Sequence, residues 1–263
     1  MYAFTYDRPT SLADAVKLVQ AGGQALAGGQ TMLASMKQRL MQPEKLVDLG
    51  RVSELSGIRK EGEQIVIGAM TKHIDVEQNA LVMQHIPALA ALAGGIGDRQ
   101  VRAMGTIGGS VANNDPAACY PSAAMALGAT IHTTTRKIAA DDFFLGMYAT
   151  ALQEGELITA VSFPIPKRAS YAKFKQGASR FAMVGVFVAD TAQGPRVAVT
   201  GAANGVFRHA GLEAALAKNF APESVADVAV DASELNSDIH ASAEYRAQLI
   251  KVQTRKAVQD ALS

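Results

Sequence analysis

Two glycine-rich segments carry the residues of this chain best suited to binding an anion. The first glycine loop is Ala27-Gly28-Gly29-Gln30-Thr31, and the second glycine loop is Gly105-Thr106-Ile107-Gly108-Gly109-Ser110. Glycine lets a backbone N–H group approach an anion without interference from a Cβ atom, and it reaches positive φ easily. A helix that begins just after such a turn adds unpaired N–H groups and a favourable dipole. Two such loops facing each other would clamp a pyrophosphate from both sides, whereas either loop alone is equally typical of a tight turn.

The spacing of these glycines excludes two familiar phosphate-binding motifs. Neither loop matches the dinucleotide pattern G-x-G-x-x-G or the P-loop pattern G-x-x-x-x-G-K-[ST], so those two classes of protein lose support. A segment of small and polar residues, 112–121, directly follows the second glycine loop. Its side chains could hydrogen-bond a sugar or a polyol chain, and the alternative is a surface loop bounded by proline.

The other residues capable of chemistry favour structural roles. Cys119 is the only cysteine, and because no second cysteine could form a disulfide with it, a small buried hydrophobe is a better interpretation than a redox centre. His73 is expected at a helix entry or on the surface, and Asp141 and Asp142 at the start of a helix. No Ser–His–Asp spacing and no H-E-x-x-H signature stands out, so the sequence predicts neither a catalytic residue nor a metal ligand.

The composition is that of an ordinary globular protein. The chain has 263 residues, with 25 Lys and Arg against 24 Asp and Glu and a formal net charge of +1. This balance gives no reason to expect nucleic acid or an acidic membrane as a partner. No apolar run approaches the ~20 residues of a membrane span, and the first residues do not form a basic-then-apolar leader. One cysteine excludes an internal disulfide and a Cys-ligated metal cluster within this chain alone. We therefore expect a cytoplasmic protein.

Helix and strand signals divide the chain into three predicted domains. Residues 1–55 alternate helix and strand signals, and Ser11 with Asp14 fits a capping box that opens the first helix. Residues 56–166 contain the second glycine loop among helices and strands and end in a proline-rich linker. Residues 167–263 begin with strands and end in helices, which predicts a separate sheet-and-helix domain.

The third predicted domain has the clearest local signals. Strands are expected over 171–176, 183–189 and 196–200, and the turn signals between them predict an antiparallel meander. Two helices are expected to follow, and the last of them should place Tyr245, Leu249 and Val252 on one face.

Motifs along nearly the whole chain resemble the FAD-binding medium subunits of the molybdenum hydroxylases. The family pattern A-G-G-[QH]-[ST]-L-[LI] corresponds to residues 27–33, and Q-V-R-N-x-G-T-I-G-G-[SN] corresponds to residues 100–110. A third pattern, D-P-A-A-D-x-P, corresponds to residues 115–121, and residues 155–158 and 238–246 match later regions of the family. Several motifs in the same order are far more specific than any one of them.

The resemblance implies an α+β architecture of the PCMH type. This is an FAD-binding fold of two α/β subdomains followed by a C-terminal antiparallel sheet with helices. It also implies a set of FAD-binding residues, with the two glycine loops on the pyrophosphate and Lys175 near the flavin ring. A cation at that place would favour the negatively charged reduced flavin. The implied contacts are Ala27, Gly28, Gly29, Gln30, Thr31, Thr106, Ile107, Gly108, Gly109, Ser110, Asn114, Asp115, Cys119 and Lys175.

The function implied by the resemblance is electron transfer within a larger oxidoreductase. A large partner subunit would hold a molybdopterin cofactor, and a small partner subunit would hold two [2Fe–2S] clusters. The FAD of this chain would collect electrons from those clusters and pass them to NAD⁺, a quinone or oxygen. The expected assembly is a dimer of heterotrimers, that is, a heterohexamer. No protein acid or base is needed for such a transfer, so no catalytic residue is expected.

The sequence departs from the family pattern most clearly at Cys119. A thiol stands where the family has the second aspartate of D-P-A-A-D, and a thiol is a much weaker hydrogen-bonding group than a carboxylate. Arg99, Ala103 and Met104 also differ from the residues that are frequent beside the second glycine loop. Two other functions remain open at this point. One is a stand-alone flavin oxidoreductase, and the other is a non-enzymatic assembly module that has lost FAD.

Overall fold

The computed structural model describes residues 1–263. The first part of the chain forms a small three-stranded sheet with two helices. Ser11 caps the first helix as predicted, since its Oγ accepts a hydrogen bond from the Asp14 N–H at 3.2 Å. The strands pair in parallel in the order β1-β3-β2. The elements are β1 (Thr5–Asp7), α1 (Leu12–Gln20), β2 (Gln24–Leu26), α2 (Met32–Lys37) and β3 (Lys45–Asp48).

The middle part is a five-stranded antiparallel sheet covered by helices, with a short hairpin beside it. The order of strands in the sheet is β4-β5-β10-β6-β7, and the hairpin pairs β8 with β9. The elements are β4 (Ile58–Glu61), β5 (Gln64–Gly68), α3 (His73–Gln78), α4 (Ala80–His85), α5 (Pro87–Gly94), α6 (Arg99–Met104), α7 (Ile107–Asn113), α8 (Tyr120–Leu127), β6 (Thr130–Thr133), β7 (Lys137–Ala139), α9 (Ala140–Phe143), β8 (Phe144–Gly146), β9 (Ala149–Thr150) and β10 (Ile158–Pro164).

The last part is a four-stranded antiparallel sheet with two helices. The expected meander is present, because β11, β12 and β13 pair in sequence order with antiparallel register. The elements are β11 (Arg168–Lys175), β12 (Ala182–Thr191), β13 (Gly194–Thr200), β14 (Phe207–Arg208), α10 (Ala210–Lys218) and α11 (Ala243–Leu262). The three sheets lie within the ranges expected from the sequence, while the exact division at 1–55, 56–166 and 167–263 stays a prediction.

The last sheet contributes to two hydrophobic cores, one on each face. Side chains alternate along its strands, so that Phe187 and Ala189 join the core of 30 buried residues shared with the middle part. Val186 and Val188 join a second core of 14 buried residues under α11. This double burial fixes the end of β11 against the middle part of the chain, where the candidate site lies.

Helix α11 does not bury the face that the sequence pattern predicts. Leu249 is buried, but Tyr245 and Val252 are each 46% exposed. Arg246 is buried instead, because its guanidinium donates hydrogen bonds to the carbonyl oxygens of Met183 at 2.8 Å and Gly201 at 2.9 Å. These two carbonyl groups, together with the Asp238 carboxylate at 2.6 Å, thus favour a charged residue on the inner face of the helix.

Candidate functional site

A cleft of about 1100 Å³ lies where all three parts of the chain meet. We call it the central cleft. Its lining comes from residues 22–41, 96–119, 148–158 and 173–181, together with a few residues between them. The predicted site residues in the lining are Ala27, Gly28, Gly29, Gln30, Thr31, Thr106, Gly108, Gly109, Ser110, Asp115 and Cys119. Ile107, Asn114 and Lys175 are predicted site residues that do not line the cleft.

The first glycine loop offers a row of free hydrogen-bond donors to the central cleft. The loop joins β2 to α2, and Gly29 has a φ of +71°, a conformation that glycine adopts at little cost. The backbone N–H groups of Gly28, Gly29, Gln30 and Thr31 donate no hydrogen bond within the chain. Consecutive unpaired N–H groups facing a cleft suit an anion with several oxygen atoms, such as a diphosphate.

The second glycine loop differs, because all of its backbone N–H groups except that of Thr106 are already paired. The Ile107 and Gly108 N–H groups donate to the carbonyl oxygens of Thr71 at 3.1 Å and Ala69 at 2.8 Å. The Gly109 N–H donates to Thr106 Oγ1 at 3.1 Å, which caps α7. This loop therefore forms a wall of the cleft, and the row of consecutive free donors is that of the first glycine loop.

The two glycine loops are in direct contact, and the pyrophosphate clamp expected from the sequence stays a prediction. A Cβ atom on Gly28 would overlap the carbonyl oxygen of Met104, and one on Gly109 would lie 3.3 Å from Ala27 Cβ. A Cβ atom on Gly105 would lie 2.6 Å from His73 Nε2. Close packing, rather than hydrogen bonding alone, therefore explains why both loops are rich in glycine.

The polar segment after the second glycine loop separates into a supporting residue and a lining residue. Asn114 is fully buried and has a φ of +43°. Its amide donates hydrogen bonds to the carbonyl oxygens of Gly146 at 2.7 Å and Ala149 at 2.8 Å, which fastens the β8–β9 hairpin. Asp115 lines the cleft, and its carboxylate accepts a hydrogen bond from the Ala117 N–H at 2.8 Å. Ile107 is also fully buried, in the core of the middle part.

Lys173, not Lys175, lines the central cleft. The Lys173 ammonium donates hydrogen bonds to the carbonyl oxygens of Gly95 at 2.6 Å and Arg180 at 3.0 Å and lies 3.5 Å from Cys119 Sγ. Lys175 is exposed, and the pairing of β11 with β12 shifts register between Phe174 and Lys175. Alternation alone would place both lysines on one face of the strand. Lys173 is the one residue of β11 in the lining, and Lys175 is the last residue of the strand, so the local pattern alone could not distinguish the two lysines.

Two ionisable residues in the lining are held in fixed protonation states. Burial, helped by the positive charge of Arg102, lowers the pKa of His73 to about 4, so its imidazole is neutral at pH 7. Hydrogen bonding to Arg136, and then to Thr133 and other donors, lowers the pKa of Glu156 to about 2. His73 begins α3, as the helix-entry interpretation predicted, but it is 5% exposed and does not lie on the surface.

The chain has neither a cluster of metal-binding side chains nor a helix that could span a membrane. No group of three or more His, Cys, Asp and Glu side chains is arranged to hold a metal ion. No helix combines the length and the apolar character that crossing a bilayer requires. Asp141 lies in the first turn of α9, as predicted, and pairs with Arg196 and Arg208.

Comparison with protein families identifies the chain. Residues 2–166 match the model of the FAD binding domain in molybdopterin dehydrogenase. The chain belongs to this family. It is 35% identical to the carbon monoxide dehydrogenase medium chain of Hydrogenophaga pseudoflava, over 97% of this chain and 96% of that protein. It is 32% identical to the glyceraldehyde dehydrogenase medium chain of Sulfolobus acidocaldarius, over 98% of each.

Solved structures of this family have the same fold. Carbon monoxide dehydrogenase from Hydrogenophaga pseudoflava matches 99% of this chain and 98% of the compared chain, with a TM-score of 0.93 and 35% identity. Quinoline 2-oxidoreductase from Pseudomonas putida 86 matches 99% of this chain and 97% of the compared chain, with a TM-score of 0.91 and 29% identity. These matches confirm the resemblance drawn from the motifs, the α+β fold, and the role of an FAD-binding subunit in an oxidoreductase of the molybdenum hydroxylase class.

Proposed function

We propose that the central cleft holds FAD and that the chain relays electrons from an iron–sulfur partner to an external acceptor. One observation carries the assignment of the cleft. The Gly28, Gly29, Gln30 and Thr31 N–H groups are unpaired and line a cleft of about 1100 Å³ in a chain of an FAD-binding family. These donors would hold the diphosphate of FAD, and the volume suits a large ligand.

The other residues expected from the sequence divide into two groups under this proposal. Ala27, Gly108 and Gly109 form close-packed walls, while Thr106, Ser110 and Asp115 bring hydroxyl and carboxylate oxygens to the cleft. Ile107 and Asn114 act indirectly, through the buried positions that hold the second glycine loop and the β8–β9 hairpin. Lys173 takes the place that the resemblance assigned to Lys175, because it is the lysine of β11 that lines the cleft.

The chain's own residues bind and orient the cofactor and set its electrostatic surroundings. When bound, FAD supplies a group that takes up two electrons and releases them one at a time or as a pair. His73 is neutral and buried, and Glu156 is held by Arg136 at 3.1 Å, so neither is poised to exchange protons near pH 7. The proposal therefore includes no catalytic acid or base.

The partners follow from the relatives. The curated relatives are medium chains and subunits of dehydrogenase complexes, so the chain is one component of a multi-subunit enzyme. Our proposal adds a small subunit with two [2Fe–2S] clusters and a large subunit with a molybdopterin cofactor, arranged as a dimer of heterotrimers. It leaves NAD⁺, a quinone and oxygen as candidate acceptors. A cytoplasmic location stays a prediction.

The test is the visible spectrum of the purified chain after incubation with FAD, with the released flavin identified by mass. We expect close to one FAD per chain, either in the chain alone or in the complex co-expressed with its partner subunits. Absence of FAD from both preparations would overturn the proposal and favour the assembly module. Reduction of the flavin by an organic substrate in the isolated chain would instead favour a stand-alone oxidoreductase.

A further inference from the structure

The wall of the central cleft formed by β11 carries positive charge with no carboxylate to balance it. The Lys173 ammonium contacts two backbone carbonyl oxygens and the Cys119 sulfur. Arg180, which also lines the cleft, donates to the Gly97 carbonyl oxygen at 3.3 Å. Neither Lys173 nor Arg180 takes part in any ion pair of the chain within 4.0 Å.

Three carboxylate residues belong to the lining, of which Glu154 is exposed and the other two are engaged by other groups. Asp115 accepts hydrogen bonds from the Ala117 N–H at 2.8 Å and from the Tyr148 hydroxyl at 3.4 Å. Glu156 pairs with Arg136. The group that stands against Lys173 is instead the side chain of Cys119, which is 5% exposed. A carboxylate at position 119 would lie within reach of the ammonium and form an ion pair with it.

The distribution of charge on FAD indicates which part of the cofactor this cation would stabilise. FAD carries negative charge on its diphosphate at all times, and its ring gains one negative charge when two electrons and one proton are added. The unpaired N–H groups that suit the diphosphate belong to the first glycine loop, which is a different wall of the cleft. The cation on the β11 wall is therefore available to the ring.

We propose that Cys119 tunes the bound flavin by leaving Lys173 without a counter-charge, so that the ammonium stabilises the anionic reduced form. The inference rests on the proposed function, namely FAD in the central cleft. The Lys173 ammonium acts through its charge alone, Cys119 is not modified, and the electrons come from the iron–sulfur partner. Cys119 is a positioning residue in this scheme, because it acts on the flavin through Lys173.

The experiment compares the reduction potential of bound FAD in the wild type, Cys119→Asp and Cys119→Ser, by dye-coupled titration of each complex loaded with FAD. Cys119→Asp should lower the reduction potential of bound FAD by at least about 30 mV. For a two-electron couple this is about a tenfold smaller preference for the reduced flavin. Cys119→Ser keeps the size of the side chain and adds no carboxylate, so its potential should equal that of the wild type. In a Lys173→Met background, Cys119→Asp should produce no comparable decrease.

The outcomes separate this inference from the function on which it rests. FAD content and the dissociation constant of oxidised FAD are measured for every variant before the titration. Loss of FAD from the wild type would remove the proposed function itself. Stoichiometric FAD with equal potentials in the wild type and Cys119→Asp would overturn the role of Cys119 alone. Equal decreases in Cys119→Asp and Cys119→Ser would also overturn it, because the effect would then not depend on charge.

Discussion

The carbonyl oxygen of Met104 occupies the space that a side chain at Gly28 would need. This contact joins the turn between β2 and α2 to the end of α6. Gly28 and Met104 are 76 positions apart in sequence. It holds the first glycine loop against the wall of the central cleft. The free N–H groups that we assign to the FAD diphosphate are thus positioned by a backbone contact that tolerates only glycine.

Gly28→Ala should therefore damage both the fold around the loop and the binding of FAD. The added Cβ forces Met104 and the first glycine loop apart, which moves the unpaired N–H groups. We expect at least about a tenfold weaker affinity for FAD, corresponding to a loss of about 1.4 kcal/mol. Isothermal titration with FAD and thermal denaturation of the same protein provide the measurement.

Gly177→Ala is the matched control for that substitution. A Cβ atom at Gly177 meets nothing within 4 Å and its backbone is not left-handed, so both FAD affinity and melting temperature should stay close to the wild type. Full affinity in Gly28→Ala would contradict the assignment of the first glycine loop to the diphosphate.

Lys173 and Lys175 give opposite expectations although they lie two residues apart on one strand. Lys173→Met should lower the reduction potential of bound FAD by about 30 mV or more, equal to about a tenfold change for a two-electron couple. Lys175→Met should leave the potential unchanged, because Lys175 is exposed and does not line the cleft. The potentials are measured by dye-coupled titration. The reverse result would restore the role that the motif resemblance gives to Lys175.

His73 should make the stability of the protein depend on pH between about 6.5 and 4. An unfolded histidine takes up a proton below its usual pKa of 6.5, whereas the pKa of His73 in the folded chain is lowered to about 4. Stability should accordingly fall as pH falls through this range, by about 3 kcal/mol for this residue. The measurement is urea unfolding at a series of pH values.

His73→Phe is the variant that isolates this contribution. It cannot titrate, so its stability should fall less steeply between pH 6.5 and 4 than that of the wild type. His132 and His209 also have lowered pKa values because of burial, but they are present in both proteins and cancel in the comparison. Parallel pH profiles for the two proteins would show that His73 is protonated equally in the folded and unfolded chains.

Glu156 should stabilise the fold in a different pH range. Its carboxylate accepts hydrogen bonds from Arg136 at 3.1 Å, Thr135 at 2.7 Å and the Gln153 N–H at 2.8 Å. Since its pKa is lowered from 4.5 to about 2, the stabilisation is complete above pH 4.5 and is lost as pH falls towards 2. Glu156→Gln should cost about 2 kcal/mol at pH 7, because it leaves Arg136 without its charged partner.

A matched pair of variants checks the role of Glu156. Glu154→Gln changes an exposed neighbour that has no ion pair, and its unfolding free energy should stay within about 0.5 kcal/mol of the wild type. The loss of stability between pH 4.5 and 2 should be smaller in Glu156→Gln than in either the wild type or Glu154→Gln. Equal acid sensitivity in all three proteins would count against a charged Glu156 in the fold.

Local patterns in the sequence determined much of the fold and the family. The cap at Ser11 and the three strands of the meander depend on neighbouring residues, so they could be predicted from the sequence. Segments such as 27–33 and 100–110 identified the family because their glycines allow the close backbone contacts of this fold. The same motifs also gave most of the residues that line the central cleft.

Only the tertiary structure decided which of these residues have free hydrogen-bonding groups and which lysine lines the cleft. The Ile107 and Gly108 N–H groups of the second glycine loop are paired because the turn after β5 presents the carbonyl oxygens of Thr71 and Ala69 to them. Lys173 lines the cleft because its ammonium is held there by the Gly95 carbonyl oxygen. Arg246 replaces Tyr245 on the inner face of α11 because it pairs with the carbonyl groups of Met183 and Gly201. In each case the partner is distant in sequence, so periodicity and local motifs hold no information about the pairing.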